Sequence, residues 1–406
     1  MHVQLAPNFA HSEFGEEAKD ILGKCVHCGF CTATCPTYQL LGDELDGPRG
    51  RIYLIKELLE SGRCTATTRT HLDRCLTCRS CETTCPSGVS YGRLLEISRP
   101  QVNKLSPRPL SQRLMRWSLR NLMLGPWFSP LLRMGQRFRS VMPVALARHI
   151  PKARPAGDRP VPVKGKKIIM LEGCVQPALS PVINAAASRV LAMLSYQVVN
   201  VKKAGCCGAV DLHLGEEEKA RKAMRLNIDA WWPEIEAGAH AIVMTASGCG
   251  VTVKDYGDLL KDDPEYADKA RRVSELTMDL CEIVSSTEIA TRQPLKDVRV
   301  AFHSPCTLQH GQKIVGKVET ILQACGATLV ATKDKHLCCG AAGTYSVLQP
   351  EISSELLKRK VNALTGAAPE VIATANIGCL IHIDSESKVP VRHWIELLDP
   401  GTGFKN

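Results

Sequence analysis

No uninterrupted apolar run in this 406-residue chain approaches the ~18 residues of a membrane-spanning helix, so none is expected. The opening MHVQLAPNFAHSEFGEE lacks a basic start followed by an apolar core, and no signal peptide is expected either. No GxGxxG follows a strand-like run, so no Rossmann nucleotide site is offered, and no base is placed for hydride abstraction. Acids almost vanish between Arg99 and Lys167, where 16 Lys or Arg accompany the single acid Asp158. That stretch carries +15 against +10 for the whole chain, so the remainder is near −5. The basicity belongs to one segment, and nucleic acid is not the expected partner.

What the chain has instead is cysteine, 19 in all, within an ordinary globular composition of 44% hydrophobic and 23% charged residues. In a reducing compartment, thiols at tight repeating spacings read as metal ligands rather than disulfides. The length suits two or three domains with a real core.

Residues 1–98 hold the tightest clusters, with helix-like stretches such as Arg51–Leu59 between them. Residues 99–166 form a basic Pro/Arg-rich connector in which Leu110–Leu124 and Pro126–Arg139 read as short amphipathic helices. Its arginines Arg113, Arg116, Arg120, Arg133, Arg137 and Arg139 lie among Trp117, Trp127, Phe128, Leu131 and Phe138. That composition suits either an anionic membrane surface or a cover for a neighbouring protein of the same complex. Residues 167–290 and 291–406 then alternate strand and helix patterns, as α/β units do. Strands are expected at Lys167–Leu171, Gln197–Val201, Ala241–Thr245, Val298–Phe302, Thr328–Ala331 and Val371–Thr374. Helices are expected at Pro181–Leu194, Glu216–Glu236, Lys313–Cys325 and Glu351–Leu364. The two stretches are a duplication. Cys174, Cys206–Cys207 and Cys249 recur as Cys306, Cys338–Cys339 and Cys379, at offsets of 132, 132 and 130 residues. The expected fold is therefore a multidomain α+β chain: a helix-rich ferredoxin-type domain, then two α/β lobes about a pseudo-two-fold axis.

Cys25-x2-Cys28-x2-Cys31-x3-Cys35-Pro36 is repeated as Cys75-x2-Cys78-x2-Cys81-x3-Cys85-Pro86. Three thiols at three-residue steps wrap one [4Fe–4S] cubane, and the fourth, turned away before proline, reaches the other. One cluster is thus expected on Cys25, Cys28, Cys31 and Cys85, the second on Cys75, Cys78, Cys81 and Cys35. Two zinc ions are the bland alternative, since CxxC is also a zinc spacing; the complete run with its terminal Cys-Pro, present twice, favours the cubanes. In each lobe the first and last cysteines follow strands and the Cys-Cys-Gly turn follows the middle one. All four thiols should gather at the carboxyl edge of the sheet. They can hold a metal, hold a cluster, act as redox thiols, or be ordinary buried residues. Cys64, Cys281 and Cys325 fall outside every pattern, and His213 reads as a hydrogen-bonding loop residue.

The lobes resemble the Cys-Cys-Gly domains found in heterodisulfide reductase and in anaerobic glycerol-3-phosphate dehydrogenase. In that family the motif ends Cys-x2-Cys and can bind an unusual iron–sulfur cluster. Here Thr252 follows Cys249, and His382 follows Cys379, at that last position. With His382, and with His303 near Cys306, the second lobe has the stronger claim to a metal. From about residue 18 to 398 the chain resembles the iron–sulfur subunits of bacterial glycolate oxidase (glycolate dehydrogenase). The likeness runs through CVHCGFCTATCPTYQLLGDELDGPRGRIYLIK, HLDRCLTCRSCETTCPSGV, NIDAWWPEIEAG, HLCCGAAGTY and RHWIELL. It implies an oxidoreductase complex with two FAD-type flavoprotein subunits that oxidise glycolate to glyoxylate. This chain would then be an electron relay without catalytic residues of its own. Electrons would pass to a quinone or other membrane acceptor on the cytoplasmic side of the inner membrane, where the chain would be peripherally bound. The alternatives are a heterodisulfide-reductase-like thiol/disulfide component, or the iron–sulfur component of a related lactate or glycerol-3-phosphate dehydrogenase.

Overall fold

The computed structural model describes residues 1–143, 150–158, 160, 163–284, 289 and 293–402; the expected junction between lobes at 290–291 lies outside them. The N-terminal region is helical. Helices Glu13–Gly23, Pro48–Ser61, Ala66–Asp73 and Tyr91–Leu105 close around Leu22, Ile55, Leu59, Leu72, Leu94 and Leu95, all at most 1% exposed. Each such side chain contributes about 1.5–3 kcal/mol by leaving water. Helix Pro48–Ser61 shows why the sequence folds this way. Pro48 opens it, Ile52, Ile55, Leu58 and Leu59 recur on one face, and Gly62 ends it in the left-handed region at φ 67°. Helix Tyr91–Leu105 runs across residue 98, and its Val102 still packs into this core.

The lobes are two four-stranded parallel sheets. The first joins β1 (Lys166–Leu171), β2 (Tyr196–Val199), β3 (Ala241–Met244) and β4 (Thr277–Asp279) in the order β2-β1-β3-β4. The second joins β5 (Arg299–His303), β6 (Thr328–Leu329), β7 (Val371–Thr374) and β8 (Val391–His393) in the order β6-β5-β7-β8. Register is equivalent: Leu171 pairs Met244 as His303 pairs Thr374. Because β1 and β3 carry helices on both faces, they are apolar along most of their length, as parallel strands are. Ile168, Met170 and Val243 share a core with Val300, Phe302 and Ile372 of the other lobe, whereas Ile169, Leu171 and Ile242 pack with Met224, Ile228 and Trp231. Polar bonds join the lobes too. Ser247 donates its N–H to the Ala375 carbonyl at 3.1 Å, and Gln312 Nε2 donates to Asp279 Oδ2 at 3.1 Å.

The edge strands β4 and β8 do not stand out in the sequence. Each is three residues long and runs into a capping box, Asp279 with Glu282 and His393 with Glu396. The helix expected from Lys313 begins at Lys317, because Gly316 sits at φ 76°. Between the domains, helices Leu110–Leu124 and Phe128–Arg137 form the connector and bury no residue. They are held to the body by arginines: Arg108 on Asp73 at 2.7 Å, and Arg120 on Asp211. Leu110, Leu114, Trp117, Trp127, Met134 and Val141 are exposed.

Candidate metal centres

The two CxxC runs fold into the same backbone shape. His27 and Thr77 take positive φ at 55° and 53°, and Gly29 and Arg79 do so at 83° and 57°. A side chain in that region costs on the order of 1 kcal/mol, so three non-glycine residues held there mark a shape imposed by what the loop surrounds. Short turns Phe30–Thr32 and Ser80–Thr84 bring in Cys31 and Cys81, and Pro36 starts a new helix straight after Cys35. Cys25, Cys28, Cys31 and Cys85 line one small cavity, and Cys35, Cys75 and Cys78 line another; Cys81 stands in the wall of both. All are free thiols. Burial, then the neighbouring Cys25, pushes the Cys31 thiol up to about 11, and burial pushes Cys78 and Cys81 up as well. Crowded soft donors that resist ionisation on their own suit a site whose charge is supplied by bound metal. The donor sets fit two clusters.

The second cavity abuts the second lobe. Cys78, Cys306 and Cys338 belong to one apolar cluster with Leu76, Tyr345 and Ile352. Tyr345 Oη donates to the Arg74 carbonyl at 2.9 Å, Thr83 Oγ1 lies 2.8 Å from His310 Nδ1, and Arg79 bonds Asp255 of the first lobe at 2.7 Å. Beneath Cys35 lies a buried network that the spacing of cysteines does not announce. Arg51, 1% exposed, donates to the His71 carbonyl at 2.8 Å and to Thr37 Oγ1 at 3.1 Å. Asp46 accepts from Arg74 at 2.8 Å and lies 3.0 Å from His71 Nδ1.

In the lobes every paired cysteine reaches the carboxyl edge of its sheet, around a cavity of about 960 Å³. Cys174, Cys206, Cys207 and Cys249 line it from the first lobe, and Cys306, Cys338, Cys339 and Cys379 from the second. The two sets differ. In the first, hydrogen bonds from Cys174 and Cys207, the Gly208 N–H at 3.4 Å and the charge of Arg120 pull Cys206 down, while the same bonds to Cys206 hold Cys174 and Cys207 up. In the second, all four thiols are held up. For Cys306 the leading cause is its hydrogen bond to Cys338, at 3.8 Å; for the set as a whole burial acts throughout. His303, at the end of β5, is 2% exposed and kept neutral by burial, and its Nε2 has no partner among the described residues. Ligand atoms of His303, Cys339 and Cys379 lie within 4.8 Å of one another. Leu171 occupies the matching place in the first lobe. His382 instead bonds Ser353 Oγ at 3.2 Å, and His213 is a half-buried residue of the cavity wall held down to about 3 by desolvation. Cys281 and Cys325 are core residues, and Cys64 is half-buried elsewhere.

Comparison with known proteins agrees with this layout. Residues 21–89 match the family described as a 4Fe-4S dicluster domain, and residues 168–254 and 300–384 each match the cysteine-rich domain. The glycolate oxidase iron–sulfur subunit of Escherichia coli is 52% identical, over 98% of both chains. A probable glycolate oxidase iron–sulfur subunit of Bacillus subtilis is 28% identical over 94% of both. Lactate utilization protein A of Bacillus subtilis is 25% identical over 57% of this chain and 99% of its own. With two cubane-type cysteine runs packed on a duplicated cysteine-rich lobe, and that identity over nearly the whole length, the chain belongs to the family of glycolate oxidase iron–sulfur subunits.

Proposed function

We propose that this chain is the electron relay of a complex that oxidises glycolate to glyoxylate, receiving electrons from two FAD-type flavoprotein subunits and passing them to a quinone-type acceptor. The observation that carries this reading is the convergence of eight thiols on two adjoining cavities, in a chain 52% identical to a glycolate oxidase iron–sulfur subunit. Cys25, Cys28, Cys31 and Cys85 would hold one [4Fe–4S] cluster, and Cys75, Cys78, Cys81 and Cys35 the other. Such clusters supply one-electron transfer when bound. The protein's own part is to place the thiols, exclude water from the Cys35 side, and set the second cavity against Cys306 and Cys338. Residues 1–98 would be the cluster domain, 99–166 the connector, and 167–290 and 291–406 the two lobes.

His303, Cys339 and Cys379 would give the second lobe a metal or a third cluster, with Cys306 and Cys338 beside them. In the first lobe the low Cys206 favours a second reading, thiol–disulfide exchange among Cys174, Cys206, Cys207 and Cys249. No helix among the described residues is long and apolar enough to cross a membrane. The exposed apolar face and arginines of the connector support peripheral binding at the cytoplasmic side of the inner membrane. The test is anaerobic purification with the flavoprotein partners, followed by glycolate addition under EPR. Glycolate-dependent appearance of two interacting cubane signals is expected. Reduction by a dithiol but not by glycolate would favour the thiol–disulfide reading instead.

A further inference from the structure

The two candidate centres sit in different electrostatic surroundings. Arg51 and Arg79 line the cavity of Cys35, Cys75 and Cys78. Arg79 is neutralised by Asp255 at 2.7 Å and Glu96 at 3.3 Å. Arg51 is not. Its guanidinium lies 4.0 Å from Cys35 Sγ and 3.5 Å from Asp46, whose carboxylate is engaged more closely by Arg74 at 2.8 Å. Two guanidiniums thus share one carboxylate, and a positive charge remains beside the thiols. Neutral groups face the same thiols. Thr37 Oγ1, which donates to the Asp46 carbonyl at 2.7 Å, is 3.3 Å from Cys35 Sγ, and the buried Tyr91 hydroxyl, beside Cys75, has no oxygen or nitrogen partner among the described residues.

Among the described residues the other cavity is lined by no buried guanidinium, and a cation beside its ligands, the Met1 ammonium on the Cys25 carbonyl at 3.3 Å, is only half-buried. The arginine of that cavity, Arg49, is partly open to solvent and closed on Glu44 at 2.6 Å, while Cys28 itself is exposed. Adding an electron is easier where a cation in a poorly screened interior meets the new negative charge. Building on the relay reading above, we propose that Arg51, acting through Cys35, makes the centre held by Cys35, Cys75, Cys78 and Cys81 the higher-potential one, so that electrons run inward from the Cys28 side. One electron leaves the outer centre and the same electron arrives at the inner one, with no bond or proton exchanged. Two such transfers drain one reduced flavin. Arg51 is a positioning residue here, since it touches a ligand and not the reacting atoms.

The experiment is an EPR-monitored redox titration of the full-length chain, purified anaerobically with its partner subunits. Cys28→Ser identifies which signal belongs to the outer centre. Arg51→Gln should lower the inner midpoint by at least a tenfold shift in the electron-sharing equilibrium, about 59 mV for a one-electron couple. The outer midpoint should stay, and Arg51→Lys, which keeps the charge, should recover at least half of the shift. Should Arg51→Gln fail to fold, Asp46→Asn decides the matter, since removing the carboxylate that Arg51 shares must raise the inner midpoint alone. Equal movement of both centres, no movement, or an Arg51→Lys as impaired as Arg51→Gln overturns the proposal. Absence of two cubane signals in the unmodified chain would instead sink the relay reading on which it rests.

Discussion

Cys35 and Cys85 end their runs and are each followed by proline, so neither thiol can close on the three cysteines before it in the way a continuous helix would allow. Cys35 stands with Cys75 and Cys78, and Cys85 with Cys25, Cys28 and Cys31. On the proposed ligation, Cys35→Ser strips the centre of Cys75, Cys78 and Cys81 while sparing the nearer one in sequence. Iron should fall from about eight to about four atoms per chain, and the surviving signal should be the one that Cys28→Ser removes. Loss of the Cys28-linked signal instead would refute crossed ligation. A second residue-scale effect is independent of metal. His393 is fully buried, its Nδ1 accepts the Ile395 N–H at 3.3 Å, and burial pulls its pKa from 6.5 down to about 3. The unfolded chain therefore binds a proton there that the folded chain refuses, so stability rises with pH from about 3 to 6.5 and is level above. Denaturant midpoints of the unmodified chain and of His393→Gln should converge as pH falls through that window, by up to about 1 kcal/mol per pH unit. Parallel curves would show that His393 does not titrate on unfolding.

Elements divide into those whose periodicity is local and those whose identity depends on neighbours. Strands β1, β3, β5 and β7 are legible because a central parallel strand is apolar on both faces, and the helices beside them repeat at three and four. The edge strands β4 and β8 are not, because three residues ending in Asp279 or His393 show no pattern until the sheet receives them. Arg51 is hidden for a related reason. An arginine near the start of an amphipathic helix reads as solvated, and its partners Asp46 and His71 come from elements on either side of that helix. The connector is the opposite case, since its sequence announces two amphipathic helices and the structure leaves their apolar face open. Arg116 and Arg120 are spent on Asp73 and Asp211, which leaves Arg113, Arg133 and Arg137 of these two helices to meet an anionic surface. Replacing those three by Gln should weaken binding to vesicles containing a third anionic lipid by tenfold or more, at roughly 1 kcal/mol for each charge. Binding of the unmodified chain should fall as salt rises. Sedimentation with vesicles measures both, and unchanged binding would leave the face to another protein of the complex.

At the scale of the whole molecule, duplication was legible from the cysteine offsets, but the joint between the copies was not. The lobes do not merely touch. Ile168, Met170 and Val243 share one apolar cluster with Val300, Phe302 and Ile372, and the Gln312–Asp279 bond crosses the same joint. No periodicity in either copy encodes which face meets the other, because both faces of a central parallel strand are apolar. A shared core has a consequence that two lobes on a linker would not have. Phe302 is 6% exposed within it, and Phe302→Ala should cost about 3–5 kcal/mol through lost burial and the cavity left behind. If the lobes open together, amides of β1 and β5 lose the same protection in that variant, although only β5 carries the substitution. Hydrogen exchange followed by mass spectrometry reads the two strands separately. Equal loss in Lys166–Leu171 and Arg299–His303 is expected, and loss confined to β5 would mean that the thiol-lined cavity between the lobes is built by two independently folding halves.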